Sequence, residues 1–399
     1  MKRKSLSLAL LLNRAACGTS LLLLIALLFS SCREPEDIDP SIDTPTGDAD
    51  ANAGYSGFYL LCEGSYGGND SSLDYYDYRS GVFSRNIYAE RNPSQVMGLG
   101  DVGNDIAVYG GKLYAVIGGS HRVEVMNVSD ASHIASIDAV NCRYLAFHDG
   151  FAYVTSYGTN TPAVEGWGSE ATGYVAKVDT ATLAIVDTCH VGYQPEELAV
   201  MDGRLYVANS GGYRYPDYDH TVSVIDLASF RVISTIDVGI NLHRIEAIPS
   251  LGLLAVTSRG DYYTVPGALY LIDGHSGTVI GSTPLGSTAD IASCADTLYV
   301  YSMDWGSAPD YRRIVLAKDA AESSLQGTPL FAAAPADIVV PYSLTVNGST
   351  GDVLICDARD YVTPGRLHCF SSDGTQRWTV VTGVMPSRIA FVPKPSASH

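Results

Sequence analysis

Four short β-type runs recur as a unit about every 49 residues, and seven copies fit between residues 58 and 393. The first copy lacks its first run, and a run of that type is left over at the C terminus. The chain is also rich in Gly (39 residues) and Tyr (26 residues), which suits short strands and tight turns. Together these observations predict an all-β fold. It is a seven-bladed β-propeller of four-stranded antiparallel blades, the ring closed by the C-terminal strand joining the N-terminal blade. Helical repeat arrays have shorter periods, and leucine-rich repeats lack a four-strand cycle.

The elements follow in chain order. Lys2, Arg3 and Lys4 precede the apolar run LLLLIALLF (21–29), which ends in Ser30, Ser31 and Cys32. A basic start, an apolar core too short for a permanent span and small residues before a cut make residues 1–31 a secretory signal. Residues 32–56 begin with Cys32 and REPEDID (33–39) and are rich in Pro, Asp, Thr and Gly, so they read as a flexible acidic tether. The propeller is then expected over 57–395.

Its first unit, FYLLCEG (58–64), SLDYYDYRSG (72–81) and VFSRNIYA (82–89), fills slots two to four. The second begins at Ile106–Val108 and continues with KLYAVIGG (112–119), RVEVMNV (122–128) and HIASIDAV (133–140). Tyr144–Phe147, FAYVTSYG (151–158), GYVAKVD (173–179) and LAIVDTCHV (183–191) make the third. The fourth is the clearest, ELAVMDGRLYVANSGG (197–212) followed by TVSVIDLASFRVISTIDVG (221–239). The fifth runs from Arg244 to Gly286, the sixth has a blurred fourth run, and the seventh spans Ser343–Gly383. SRIAFVP (387–393) has the slot-one pattern and no successor, so it completes the first blade and leaves no open edge.

The long insertions all join the second run to the third, which places them on the rim that also receives the loops entering each first strand. GSYGGND (64–70) carries Tyr66, and the insertion 156–172 carries Tyr157 and Trp167. NSGGYRYPDYDH (209–220) adds Tyr213, Tyr215 and Tyr218, and SRGDYYTVPG (258–267) adds Tyr262 and Tyr263. SMDWGSAPDYRR (302–313) supplies Trp305 and Tyr311, and DARDYVTPG (357–365) supplies Tyr361. Aromatic rings with polar tips, set among Gly, Asp and Asn, make a binding face for a large, partly apolar ligand. Any single ring more often stiffens its loop or covers a neighbouring blade than touches a ligand; the one-sided distribution carries the reading. The loops entering slot one offer Arg91-Asn92, Asn141-Arg143, Gln194-Glu196, His243-Arg244 and Ser387-Arg388. Arg244 and Arg388 are the candidate polar contacts among them.

Composition narrows the function further. The formal charge is −18, and loss of Lys2, Arg3, Lys4 and Arg14 with the signal makes the mature chain more acidic still. Such a field repels phosphate backbones, so nucleic acid is not an expected partner. No G-x-S-x-G, H-E-x-x-H or EF-hand loop is present, so an enzyme is not expected, nor a resident metal or cofactor. Glu196, His243 and Asp290 enter successive first strands and are the residues a metal-dependent hydrolase would need. Six cysteines remain beyond Cys17 and Cys32. Cys356 with Cys369 and Cys142 with Cys189 are possible pairs, and buried free thiols are the alternative.

Three resemblances add to this reading. Phe29-Ser30-Ser31-Cys32 resembles a bacterial lipobox, which implies cleavage before Cys32 and its lipidation, and the acidic run after it is similar to the surface-export signal of Bacteroidetes lipoproteins. RLYVANSGG followed by HTVSVIDLASFRVISTIDVG resembles the YVTN repeat of YncE-like propellers. FYLLCEGSYGGNDSSLDYYDYRSGVF resembles the start of Bacteroidetes propeller lipoproteins that include the BtuG-type cobalamin-binding proteins. This resemblance implies an outer-membrane, surface-exposed lipoprotein that captures cobalamin or another corrinoid on its loop face and hands it to a TonB-dependent transporter. A glycan- or protein-binding scaffold and a propeller hydrolase or lactonase are the other readings.

Overall fold

The computed structural model describes residues 42–50, 54–158, 172–318 and 325–394. The signal, Cys32 and most of the tether lie outside them. The described body is a seven-bladed β-propeller of antiparallel sheets. Blades 2 to 7 start at the first strands Gly103–Tyr109, Cys142–His148, Pro195–Met201, Leu242–Ile248, Thr288–Cys294 and Pro341–Val346. In blade 1 the first strand is the C-terminal Pro386–Pro393, which pairs with Tyr55–Cys62. Each first strand touches the first strands of both neighbouring blades, and the circuit returns to its start through Pro386–Pro393. The ring is therefore shut by backbone hydrogen bonds between the two ends of the body.

Side-chain alternation explains why these runs stack as blades. Along Tyr55–Cys62, Phe58, Leu60 and Cys62 pack against blade 7, while Tyr59 and Leu61 pack against blade 2. In blade 2, Leu113, Ala115 and Ile117 face blade 1, and Tyr114 and Val116 face blade 3. Both faces of a middle strand are buried, so these strands read as continuous apolar runs. Seven hydrophobic clusters result, one between each pair of adjacent blades. Each fully buried large side chain contributes about 1.5–3 kcal/mol, so the interfaces carry most of the stability. Two of the second-strand tyrosines also tie blades together by their hydroxyls. Tyr59 donates to the Val128 carbonyl (2.9 Å) and Tyr206 to that of Gly274 (2.9 Å), each in the next blade.

Several details differ from the sequence reading. The expected tether is not separate from the body up to residue 56. Asp43–Pro45 pairs with Val82–Ser84 as a fifth, outermost strand of blade 1, and Asp48 bridges Arg377 (2.7 Å). That strand is exposed along its length, so it carries no apolar alternation by which to recognise it. The blurred fourth run of blade 6 is a two-residue strand, Thr328–Pro329. A short helix, Ile87–Arg91, links blades 1 and 2. Arg91 and Asn92 accordingly bond to carbonyls of Asp130 and Ala131 in blade 2, and neither is among the residues of the channel mouth.

All six described cysteines are free thiols. Cys142 packs between blades 2 and 3 and Cys189 between blades 3 and 4, so they face opposite sides of one sheet. Cys356 lies opposite Leu367, and Cys369 opposite Leu354, which staggers that pair by two positions. No described helix is long and apolar enough to cross a membrane.

Candidate functional site

The channel mouth is built by a bulge repeated in the first strands. In blades 3, 4 and 5 the residue just before the first strand, or one before that strand's regular pairing begins, is left-handed: Asn141 (φ 46°), Gln194 (φ 40°) and Asn241 (φ 56°). Two consecutive residues then face a single residue of the second strand. They are Arg143-Tyr144 opposite Thr155, Glu196-Glu197 opposite Ala208 and His243-Arg244 opposite Thr257. A bulge interrupts strict alternation, so it brings adjacent residues into the site together. The freed backbone N–H groups are satisfied locally. Tyr144 donates to Thr155 Oγ1 and Arg244 to Thr257 Oγ1, both at 3.0 Å. The sequence sign of this device is V-T-S-x-G, present at 154–158 and 256–260.

Those bulges assemble a charged cluster. Buried Glu196 of blade 4 accepts from Arg143 Nη2 (3.1 Å) and from the Tyr157 hydroxyl (2.5 Å), and pairs with Arg259 Nη1 (3.5 Å). Tyr157 and Arg259 occupy equivalent positions, V-T-S-Tyr-Gly and V-T-S-Arg-Gly, in the two blades that flank it. Arg244 pairs with buried Asp290 (Nε–Oδ1 2.8 Å) and donates from Nη1 to the Tyr144 hydroxyl (2.8 Å). Arg388 reaches across the axis to Glu197 (2.5 Å), and stands 3.8 Å from Asp290 and 3.9 Å from Asp105. Carboxylates of three alternate blades thus surround one guanidinium from the closing strand.

Charge and burial set the protonation states. The two guanidiniums beside Glu196 hold its carboxyl below the ordinary range, although burial alone pushes it up. Burial, with Glu197 nearby, raises Glu246 to about 8, and Ser293 donates to it at 3.1 Å. His243 falls well below its usual value because it is buried among Arg244, Arg259, Arg388 and Arg143. It is therefore neutral. Arg244 donates to the Tyr144 hydroxyl, which also hydrogen-bonds His243 Nε2 at 3.2 Å. Glu196, His243 and Asp290 do not form a metal-ligand set: the two carboxylates are bound to arginines, and no metal-ligating group of His, Cys, Asp or Glu occurs among the described residues.

Above the cluster is a cavity of about 240 Å³. Arg143, Arg244, Arg259 and Arg388 line it with Tyr144, Tyr301 and Tyr342 from the strands. Tyr262 and Tyr361 reach it from loops of blades 5 and 7, and Ser287–Ala289 of blade 6 lies between them. Glu63 is the carboxylate on the wall; burial raises its pKa, and Tyr342 donates to it at 2.5 Å.

The two loop tyrosines are held by one recurring turn. Asp261 Oδ1 accepts the amides of Tyr263, Thr264 and Val265 at 2.7–2.9 Å. Asp360 Oδ1 accepts those of Val362 (3.1 Å) and Thr363 (2.8 Å). Tyr262 (φ 65°) and Tyr361 (φ 64°) are both left-handed there, a conformation that bulky residues adopt only when their surroundings enforce it.

The remaining rings fall into distinct groups. Tyr157 is buried against Tyr213, with centroids 5.5 Å apart. Tyr215 contacts buried Tyr218 (6.1 Å) and exposed Tyr263 (6.0 Å), and its peptide bond to Pro216 is cis. Tyr66 and Trp305 are each 91% exposed. The Trp305 loop is pinned beside the cavity, since Asp304 accepts the Ser287 amide at 2.9 Å. Tyr311 is not a rim residue. It lies in strand Asp310–Val315, buried against Phe331 and belonging to the core between blades 6 and 7. The insertion ends before Asp310 and not at residue 313; Arg312 and Arg313 after Tyr311 mask the strand pattern. Trp167 lies outside the described residues.

Arg143 and Arg259 join the site beyond the two arginines singled out from sequence, as do Tyr144, Tyr301 and Tyr342. The repeated V-T-S-x-G and the two R-(G)-D-Y-x-T turns were the available signals.

Residues 56–244 match a domain of unknown function, DUF5074. The match covers blades 1 to 4 and the start of blade 5, a little under half of the chain. No curated protein matches. Hydrazine synthase of Kuenenia stuttgartiensis is similar in structure, with a TM-score of 0.59 and 15% identity over 73% of this chain and 90% of that one. A quinonprotein alcohol dehydrogenase-like protein from Bacteroides thetaiotaomicron VPI-5482 gives 0.57 and 15% over 86% and 79%. At this identity the likeness is one of fold.

Proposed function

We propose that this protein is a capture protein, not an enzyme, and that it takes a large ligand with a planar part and a polar fringe on its loop rim. The observation that carries the reading is the continuity of the site. Exposed Tyr66, Tyr215, Tyr263 and Trp305 belong to the loops around an arginine- and tyrosine-lined cavity. At about 240 Å³ the cavity falls below the roughly 300–1,000 Å³ of pockets that enclose drug-sized molecules. A large ligand would therefore rest on the rim and place one substituent inside. Cobalamin, with its wide amide-fringed ring and nucleotide tail, is the ligand proposed, in keeping with the BtuG-like opening sequence.

Lipidation at Cys32 would tether the propeller to the outer membrane with its rim facing outward, where it would pass the ligand to a TonB-dependent transporter. Against an enzyme stands the use of the acidic residues at the mouth: Glu196 and Asp290 each neutralise an arginine. Calorimetry with cobalamin, cobinamide and a glycan panel tests the proposal. Saturable heat with a corrinoid is expected. Heat with a glycan alone, or with none of these, would refute it.

A further inference from the structure

We infer that the cavity at the channel mouth is an oxyanion subsite, taking a phosphate or carboxylate group attached to a planar ring that Tyr262 and Tyr361 flank. The inference rests on the reading of the mouth as a ligand site and specifies the chemistry of the group that enters it.

The charged side chains that face the cavity are mostly cationic in a chain whose formal charge is −18. Four guanidiniums line the wall against one carboxylate, Glu63, which Tyr342 already engages. The carboxylates that compensate these arginines are not on the wall. Glu196, Glu197 and Asp290 sit behind the guanidiniums and fix their orientation. Arg259 is the least committed of the four. It gives Glu196 only Nη1 at a long 3.5 Å, leaving Nε and Nη2 without a hydrogen-bonding partner among the described residues. Its side chain keeps 26% exposure. A guanidinium with free N–H groups, held in place from behind, recognises a planar or tetrahedral oxyanion at little cost in entropy.

The ring is specified by the paired turns. Blades 5 and 7 each use an Arg-(Gly)-Asp-Tyr-x-Thr segment, and each holds its tyrosine in the left-handed region over the cavity. In both cases the preceding aspartate accepts the amides that follow. A left-handed tyrosine is strained, and the same strain at two sites around one cavity marks a placement that the turn chemistry enforces. Burial is the main cause of the depressed pKa of His243, and all four arginines lower it further.

The test titrates the full protein with phenyl phosphate, benzoate and uncharged phenol by calorimetry, in wild type, Arg259→Gln and Arg259→Lys. Melting curves check that each variant is folded. Both oxyanions, or one of them, should bind at least tenfold more tightly than phenol, and the tighter of the two names the group. Arg259→Gln should weaken that binding about tenfold and Arg259→Lys much less, with phenol unaffected by either. Equal binding of phenol and the anions, no anion binding, or anion affinity unchanged in Arg259→Gln would overturn the inference. Cobalamin separates this outcome from the capture proposal. If cobalamin binds wild type and Arg259→Gln equally, the subsite fails and capture stands. If the aryl anion binds through Arg259 and no corrinoid binds, the subsite stands and the corrinoid reading fails.

Discussion

Glu246 in the channel wall offers a quantitative check on the site's electrostatics. It is held near Glu197, accepts from Ser293, and has a pKa of about 8. In the unfolded chain a glutamate titrates near 4.3. Between these values the native state holds a proton that the unfolded state has released, so stability falls as pH rises. The slope is about 1.4 kcal/mol per pH unit. From pH 4.3 to pH 7 the loss is on the order of 3–4 kcal/mol. Glu246→Gln keeps an oxygen for Ser293 and cannot ionise in either state, so it escapes the loss. The variant should therefore match wild type near pH 4 and exceed it by on the order of 3 kcal/mol at pH 7, measured by urea unfolding across that range. A variant no more stable than wild type at pH 7, or an advantage that does not change with pH, would refute the assigned burial and protonation of Glu246.

Other consequences concern neighbouring residues. Glu196→Ala leaves Arg143 and Arg259 without their carboxylate and should cost about 3–5 kcal/mol in chemical denaturation. Because the folded pKa of Glu196 is depressed, its contribution is present above about pH 4.3 and lost as pH falls through the folded value. Gly260→Ala puts a Cβ 2.0 Å from the Val265 carbonyl at φ +64°. It should cost at least about 1–2 kcal/mol, lower the melting temperature and weaken ligand binding by displacing Tyr262. All six cysteines after Cys32 should be modified by a thiol reagent on unfolding without reductant; mass spectrometry showing an intact disulfide among them would contradict the free-thiol core.

The ring was legible because both faces of each middle strand are buried, which prints a strong periodic signal, and because a missing first run at one end matches a surplus run at the other. The rim loops were legible as departures from that repeat. What escaped was either polar or formed by distant partners. Asp43–Pro45 is exposed on every residue and carries no apolar pattern. Tyr311 belongs to a strand, but its charged neighbours Arg312 and Arg313 read as loop. The arginine cluster joins Arg143, Arg259 and Arg388, which no local window contains. Their meeting depends on bulges whose local trace is one threonine opposite two residues. Arg244 and Arg388 stand at the entry to slot one and are legible there, but the carboxylates behind them follow only from ring geometry.

The most direct test of aromatic capture at the mouth is a cobalamin titration of wild type beside the double variant Tyr263→Ala/Trp305→Ala. Both rings are mostly exposed, at 79% and 91%, so melting temperature should hardly change. Each ring stacked on a ligand contributes about 0.5–1.5 kcal/mol, so affinity should fall roughly tenfold or more. Equal affinity in the two proteins, or a double variant that unfolds, would contradict the account.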